Sequence, residues 1–220
     1  MKQKIYVLIA CEESQTECLA FRQAGAAAFS CDLQKCSGNH DEWHIRQDVS
    51  PFLKGQRYFT TEDGKIHHVP NWDLIIAHPP CTYLSRGSGV QLCKNGEIDP
   101  VRDAYGIVAR DFFQKCIDAN AKYVAVENPI PLKRYKLPQI SQVVQPWEFG
   151  EPWTKPVCLW LKNLPLLMPT ILNPTKKSWI ESTRKQRKRS KSFPSIAQAM
   201  ATQWLSFIER EEQEIPTFGY

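Results

Sequence analysis

Residues 5–32, IYVLIACEESQTECLAFRQAGAAAFSCD, decide the fold class because they alternate between two structural periods. The apolar run of residues 5–10 is bounded by polar residues, which is typical of a short buried strand. Residues 14–17 (SQTE) have the spacing of a capping box, and the apolar positions after them continue to Gly25, which predicts a helix. A second apolar run ends at Asp32, so the stretch predicts a β-α-β unit.

The same alternation continues along the chain. A third apolar run, residues 72–77, stops at the prolines of residues 78–80 (HPP), and residues 101–120 have helical spacing before the strand-like residues 123–126. This order predicts an α/β fold with a doubly wound, Rossmann-like sheet in one domain, with its site at the carboxyl ends of the strands. We also expect a hairpin within residues 56–70 and a final helix over residues 195–208.

Composition excludes several classes of protein. The chain has 220 residues, of which 42% are hydrophobic and 23% charged, so it is neither a disordered chain nor a disulfide scaffold. No apolar run approaches the roughly 20 residues that cross a bilayer, and no signal peptide is recognisable, which predicts a soluble cytoplasmic protein. The eight cysteines favour reduced thiols, a catalytic thiol or a metal site.

Positive charge is concentrated in one segment. The formal net charge is +5, but residues 176–191 (KKSWIESTRKQRKRSK) alone carry +7, which leaves −2 for the remainder. Such a stretch is typical of a contact with a polyanion such as DNA, since neutralised phosphates release counterions. The alternative is a solvated loop without a partner.

The turn after the first strand contains no glycine, and its residues Glu12 and Glu13 would repel a pyrophosphate. Asp32 follows Cys11 by 21 residues, about the offset at which an acidic residue binds a ribose hydroxyl. The pattern therefore favours a nucleoside with a cationic end, which describes S-adenosylmethionine. Alternatively, the two glutamates only begin a helix, and Asp32 caps a turn.

Cys81 and Glu127 each follow a predicted strand. A thiol projected from a stiff proline loop suits a nucleophile that adds to C6 of a pyrimidine, provided that an acid activates the ring at N3. Glu127 is the candidate for that acid, and neighbouring strands would bring the two together. A thiol after prolines, taken alone, is more often structural.

Residues 78–85 (HPPCTYLS) and 126–129 (VENP) resemble the Pro-Cys and Glu-Asn signatures of DNA cytosine-5 methyltransferases, here in a short, phage-like form. The resemblance implies a class I methyltransferase fold, S-adenosylmethionine as methyl donor and DNA as partner, with a flipped target cytosine. It further implies that Cys81 is the C6 nucleophile and that Glu127 grips N3 and the exocyclic amine. Residues 1–130 would be the cofactor-binding catalytic core, and residues 131–220 an irregular, proline-rich and basic segment whose closing helix packs on the same domain.

The resemblance also assigns binding roles by position. The cofactor would be held by Cys11, Glu12, Glu13 and Ser14 at its methionine end, by Asp32 at the ribose and by Asp48 at the adenine, with Pro80 shaping the catalytic loop. The substrate would be contacted by Ser85, Asn128, Arg184, Arg187 and Arg189. Three features depart from the family: the glycine-rich first motif is absent, Thr82 replaces the usual Gln after the catalytic Cys, and about 90 residues after Glu127 leave little room for a target-recognition domain.

A structural zinc site competes for part of the chain. Two thiols and two imidazoles fall within fourteen residues, and zinc commonly takes four such ligands. These candidate ligands are Cys31, Cys36, His40 and His44.

The leading prediction is a DNA (cytosine-5-)-methyltransferase. The missing glycines and the basic stretch favour an alternative, a nucleic-acid-binding protein that keeps the fold without catalysis. The short region after Glu127 favours another, C5 chemistry on a free pyrimidine nucleotide.

Overall fold

The computed structural model describes residues 4–172, 177–178 and 192–214. Its helices are α1 (Thr16–Gln23), α2 (Ser50–Leu53), α3 (Pro100–Ile117) and α4 (Pro194–Glu214). Short 3-10 helices cover Asp41–Trp43, Arg86–Gln91, Lys133–Tyr135 and Pro146–Phe149. None of the helices in this described part of the chain is long and apolar enough to cross a membrane.

Seven strands form the central sheet. They are β1 (Tyr6–Ala10), β2 (Ala27–Asp32), β3 (His44–Arg46), β6 (Leu74–Ala77), β9 (Tyr123–Asn128), β10 (Gln142–Val144) and β12 (Val157–Lys162). Their spatial order is β10-β12-β9-β6-β1-β2-β3. The neighbours from β9 to β3 are parallel, whereas β12 is antiparallel to both β9 and β10.

Six shorter strands pair outside this sheet. They are β4 (Tyr58–Thr60), β5 (Ile66–His68), β7 (Cys93–Lys94), β8 (Glu97–Ile98), β11 (Trp153–Thr154) and β13 (Lys177–Ser178). The antiparallel pair of β4 and β5 confirms the hairpin expected within residues 56–70.

Helices cover both faces of the sheet, and β1 is therefore buried on both of its sides. Val7 and Ile9 pack with α1 and α4 around Trp204, whereas Leu8 and Ala10 face α2 and α3 on the other side. A parallel strand covered on both faces has no solvent side, which explains its uninterrupted apolar run. The predicted doubly wound, Rossmann-like α/β sheet in a single domain is confirmed.

The start of α1 differs from the predicted capping box. The helix begins at Thr16, and Gln15 before it has a left-handed backbone with φ 59° and no capping side chain. The Ser14 hydroxyl instead pairs with the Thr16 hydroxyl at 3.0 Å. Glu12 provides the cap: its carboxyl oxygens accept from the amides of Glu17 at 2.6 Å and Cys18 at 3.2 Å. Such a group satisfies amides that have no partner within the helix.

Candidate active site

The predicted site segments meet at one edge of the sheet. Ala10, the last residue of β1, pairs with Cys31 on one side and with Ala77 on the other, and Ala77 pairs with Val126. The carboxyl ends of β1, β2, β6 and β9 are therefore level. This register places residues 11–14, 32, 78–81 and 127–128 side by side, where ligands bind in open α/β sheets.

The loop that carries Cys81 is held against the end of β9. Asn128, 1% exposed, donates from Nδ2 to the carbonyl oxygen of Pro79 at 2.7 Å. After Cys81 the chain makes a turn, in which the amide of Ser85 donates to the Cys81 carbonyl at 3.0 Å. Ser85 then forms an isolated bridge with Pro131. A side-chain hydrogen bond and a backbone bridge therefore hold the thiol loop against the end of β9 and the residues that follow it.

Cys81 and Glu127 share one electrostatic environment. Cys81 is half-buried, and the side chain of Glu127 is 22% exposed, so both can be reached from the same edge. Burial raises the pKa of the Cys81 thiol, and the negative charge of Glu127 raises it further, against smaller opposing effects of a backbone hydrogen bond and Lys155. The resting side chain is therefore a neutral thiol, and forming the thiolate requires a base.

His78 lies between two carboxyl groups. Its Nδ1 is 3.2 Å from Oε2 of Glu127, and its Nε2 is 3.2 Å from Oε2 of Glu17 on α1. The second contact is an ion pair with poor alignment for a hydrogen bond. Burial lowers the pKa of His78, but the charge of Glu17 and the contacts with Glu127 outweigh this effect and raise it well above 6.5. His78 is thus an imidazolium at neutral pH.

The sequence did not single out His78 or Glu17 as functional residues. Burial raises the pKa of Glu17, but the facing imidazolium and hydrogen bonds with Glu12 and Ser192 together outweigh this effect, and the net pKa is about 2. Burial and the charge of Glu17 raise the pKa of the capping Glu12 well above its usual value. The available signal was position, since His78 directly precedes the Pro-Pro-Cys segment at a strand end.

The first turn is already engaged in contacts within the protein. Cys11 has a left-handed backbone with φ 62°, which permits the sharp turn that a glycine would otherwise make. The amides of Cys11 and Glu12 both donate to the carbonyl oxygen of Cys31, at 2.7 and 3.2 Å. Because the Glu12 carboxyl group caps α1, only Glu13 and Ser14, both partly exposed, remain to face a ligand here.

Two further predicted cofactor residues cap local turns. Asp32, partly exposed, accepts from the Gln34 amide at 2.9 Å through Oδ1. Asp48 accepts from the amide and the hydroxyl of Ser50, both at 2.9 Å, through its own Oδ1. Each carboxylate has a second oxygen that could accept from a ligand hydroxyl or amine.

A narrow cleft opens beside this network. Its mixed polar and apolar lining includes Glu17, Glu127, Lys155, Ser192, Phe193 and Met200. The cleft encloses about 320 Å³ of empty space, including its open mouth. The residues just before α4 therefore lie beside the carboxyl end of β9.

The four zinc candidates do not converge. His44 contacts the Ser30 hydroxyl through Nδ1 and the Gln34 carbonyl through Nε2, so both ring nitrogens have protein partners. Cys31 donates to the carbonyl of Gln47, and His40 contacts Glu42 and stacks on Trp43. The ligand atoms that do lie close together belong to Cys36, Asp41 and Glu62.

Three of the predicted substrate contacts lie outside the part of the chain that the structure describes. Arg184, Arg187 and Arg189, together with most of the basic stretch, lie outside the described residues. Pro80, by contrast, is placed in the loop before Cys81, as expected from its position.

Comparisons with known proteins find similarity in structure alone. No protein-family model matches the chain, and no curated protein matches its sequence. A prophage-encoded E. coli protein assigned as a DNA modification methyltransferase is 16% identical, with a TM-score of 0.46, over 79% of this chain and 53% of that one. S. pombe Dnmt2 methyltransferase is 12% identical, with a TM-score of 0.41, over 81% and 53%.

The Entamoeba histolytica methyltransferase EhMeth is 11% identical, with a TM-score of 0.41, over 80% of this chain and 58% of that one. The chain thus spans little more than half the length of these proteins. Since every one of these TM-scores is below 0.5, a function for this chain has to be argued from its own site geometry.

Proposed function

We propose that this chain transfers a methyl group from S-adenosylmethionine to C5 of cytosine in DNA through a covalent Cys81 adduct. One observation supports this most directly: a half-buried thiol follows β6, an acid lies near the end of the adjacent parallel strand β9, and the charge of the acid raises the pKa of the thiol. An adduct at C6 of a pyrimidine requires both groups to contact one ring, the thiol at C6 and the acid at N3. The Asn128–Pro79 hydrogen bond keeps the two loops together.

In the proposed reaction Cys81 forms and breaks the covalent bond to the base, and Glu127 makes a hydrogen bond to it. A base removes the Cys81 proton, Glu127 takes up a proton from solvent, and the thiolate sulfur adds to C6 while Glu127 donates a hydrogen bond to N3. The electron pair that reaches C5 then attacks the methyl carbon, whose bond to the donor sulfur breaks. Removal of the C5 proton by a base finally expels the Cys81 sulfur and restores the aromatic ring.

The residues at the strand ends fit the proposed methyl donor in part. The ribose hydroxyls would bind Asp32 and the adenine would lie near Asp48, since each has a carboxyl oxygen beyond its turn contact. At the methionine end, Glu13 and Ser14 would receive the ligand, while Cys11 and Glu12 shape the turn. The bound donor supplies an electrophilic methyl group.

DNA that contains 5-fluorocytosine tests the proposal. Fluorine at C5 cannot leave as a proton does, so the enzyme should remain bonded to the base after methyl transfer. We expect a denaturation-resistant adduct that requires S-adenosylmethionine, both in the wild type and in Cys93→Ala, which removes an exposed thiol instead. Cys81→Ala should form none, and an adduct in that variant would refute the assignment of the nucleophile.

A non-catalytic nucleic-acid-binding protein is the second candidate. It is favoured by the first turn, where the amides of Cys11 and Glu12 bond to Cys31 and present no free donors to a cofactor. Calorimetry with S-adenosylmethionine separates the two functions. An enzyme should bind the donor, and Asp32→Ala should weaken that binding, whereas a binder without catalysis should give no heat from the donor.

A further inference from the structure

The contacts of His78 define a proton arrangement at the proposed catalytic acid. Carboxylate oxygens only accept hydrogen bonds, so the contacts at both ring nitrogens are attractive together only when both nitrogens carry protons. The ring is 12% exposed, and Glu17, which faces Nε2, is 2% exposed. Water therefore does not easily replace Glu17, and its charge interacts with that of the ring with little screening.

We propose that His78 is a positioning residue that determines which oxygen of Glu127 carries a proton. This inference rests on the proposed function, in which Glu127 donates a hydrogen bond to N3 of the pyrimidine. Because Nδ1–H of His78 faces Oε2, a proton on that oxygen would meet another donor. The proton that Glu127 takes up must therefore lie on Oε1, the oxygen left to face a base.

Glu17 has a defined part in this arrangement. Its buried charge beside Nε2 keeps the imidazole protonated when Glu127 becomes neutral on gripping the base. Without that charge, the ring could release its Nδ1 proton to Glu127 and then accept a hydrogen bond from Oε2. The proton would then lie on the wrong oxygen for N3.

Other charged and polar groups surround the network from each packed element. Glu12, in the turn before α1, hydrogen-bonds with Glu17, and burial together with the charge of Glu17 raises its pKa. The Ser192 side chain, before α4, also bonds with Glu17. Lys155 lines the cleft together with Glu17 and Glu127. Its positive charge partly offsets the rise in the pKa of Cys81. Among the described residues, His78 is the cation that contacts both Glu17 and Glu127.

Nitrogen NMR of the wild-type imidazoles tests the proton arrangement without any assay of activity. A free imidazole with its pKa near 6.5 is about 97% neutral at pH 8. We expect the His78 ring, assigned through the backbone, to remain doubly protonated at that pH, and Glu17→Gln to make it neutral. The matched control Glu13→Gln, at a partly exposed acid of the same turn, should leave it charged. A neutral His78 in the wild type overturns the inference.

The pH profile of methyl transfer tests the positioning role. His78→Gln keeps a donor of similar reach but cannot hold a positive charge, so we expect its rate to fall at least tenfold and its pH optimum to move. If the wild type transfers methyl groups and His78→Gln keeps both rate and pH profile, only the positioning role is refuted. If the wild type transfers none to any cytosine substrate, the proposed function fails, and the positioning role fails with it.

Discussion

Replacing Glu17 by glutamine should destabilise the folded protein, because it removes the buried counter-charge of His78. In the folded state the pKa of Glu17 is about 2, against 4.5 for a free glutamate: burial raises it, and the imidazolium together with hydrogen bonds from Glu12 and Ser192 outweighs burial. The difference of about 2.5 pH units, at about 1.4 kcal/mol each, corresponds to about 3 kcal/mol. Removing one partner of a buried ion pair typically costs about 3–5 kcal/mol, which agrees.

The pH dependence of this loss has a defined sign. Because the pKa of Glu17 is lower in the folded state, its contribution is present above 4.5 and is lost as pH falls toward 2. The pKa of His78 is higher in the folded state, so its contribution is present below 6.5 and is lost as pH rises through that raised value. The pair therefore stabilises most between about pH 4.5 and 6.5.

Urea unfolding at two pH values measures the effect. We expect the wild type to exceed Glu17→Gln by about 3 kcal/mol at pH 5.5 and by about 2 kcal/mol at pH 3.5, where part of the linkage is lost. The control Glu13→Gln, which removes a partly exposed acid, should stay within about 0.5 kcal/mol of the wild type. A loss below about 1 kcal/mol at pH 5.5, or one that does not change with pH, would refute the reasoning.

Three further predictions concern packing and the thiol. Gly106→Ala should lower stability by about 1–3 kcal/mol in urea unfolding, because its Cβ would overlap the ring of Tyr135, and an unchanged midpoint would contradict this packing. Glu127→Gln should speed alkylation of Cys81 by iodoacetamide several-fold at pH 8, since loss of the charge lowers the thiol pKa. Mass spectrometry of the Cys81 peptide measures the rate, and an unchanged rate would mean that the two groups do not interact. Asn128→Ala should cost about 1–3 kcal/mol and slow the 5-fluorocytosine adduct, because a buried carbonyl loses its donor. Wild-type stability and rate in that variant would show that the hydrogen bond does not hold the loop.

Sequence patterns predicted the strands and helices with a clear apolar period well, but they missed some of the short strands. The runs at residues 72–77 and 123–126 became β6 and β9 because strands buried on both faces need continuous apolar residues. Strands β3 and β10 have only three residues each, too few for a period to show. The pattern SQTE suggested a cap at Ser14, but Glu12 reached the same amides from a turn whose backbone the sequence did not reveal.

The amino-acid pattern by itself determined the doubly wound sheet and placed Cys81 and Glu127 at the ends of its strands, because burial and backbone period are properties of neighbouring residues. Only the tertiary structure decided that the pKa of Glu12 is raised, that Glu17 is ionised and that His78 is positively charged. A side chain's charge state depends on its burial and on the charges that face it. Here those charges come from positions 17, 78 and 127, where folding places each glutamate carboxyl oxygen 3.2 Å from a nitrogen of the histidine ring.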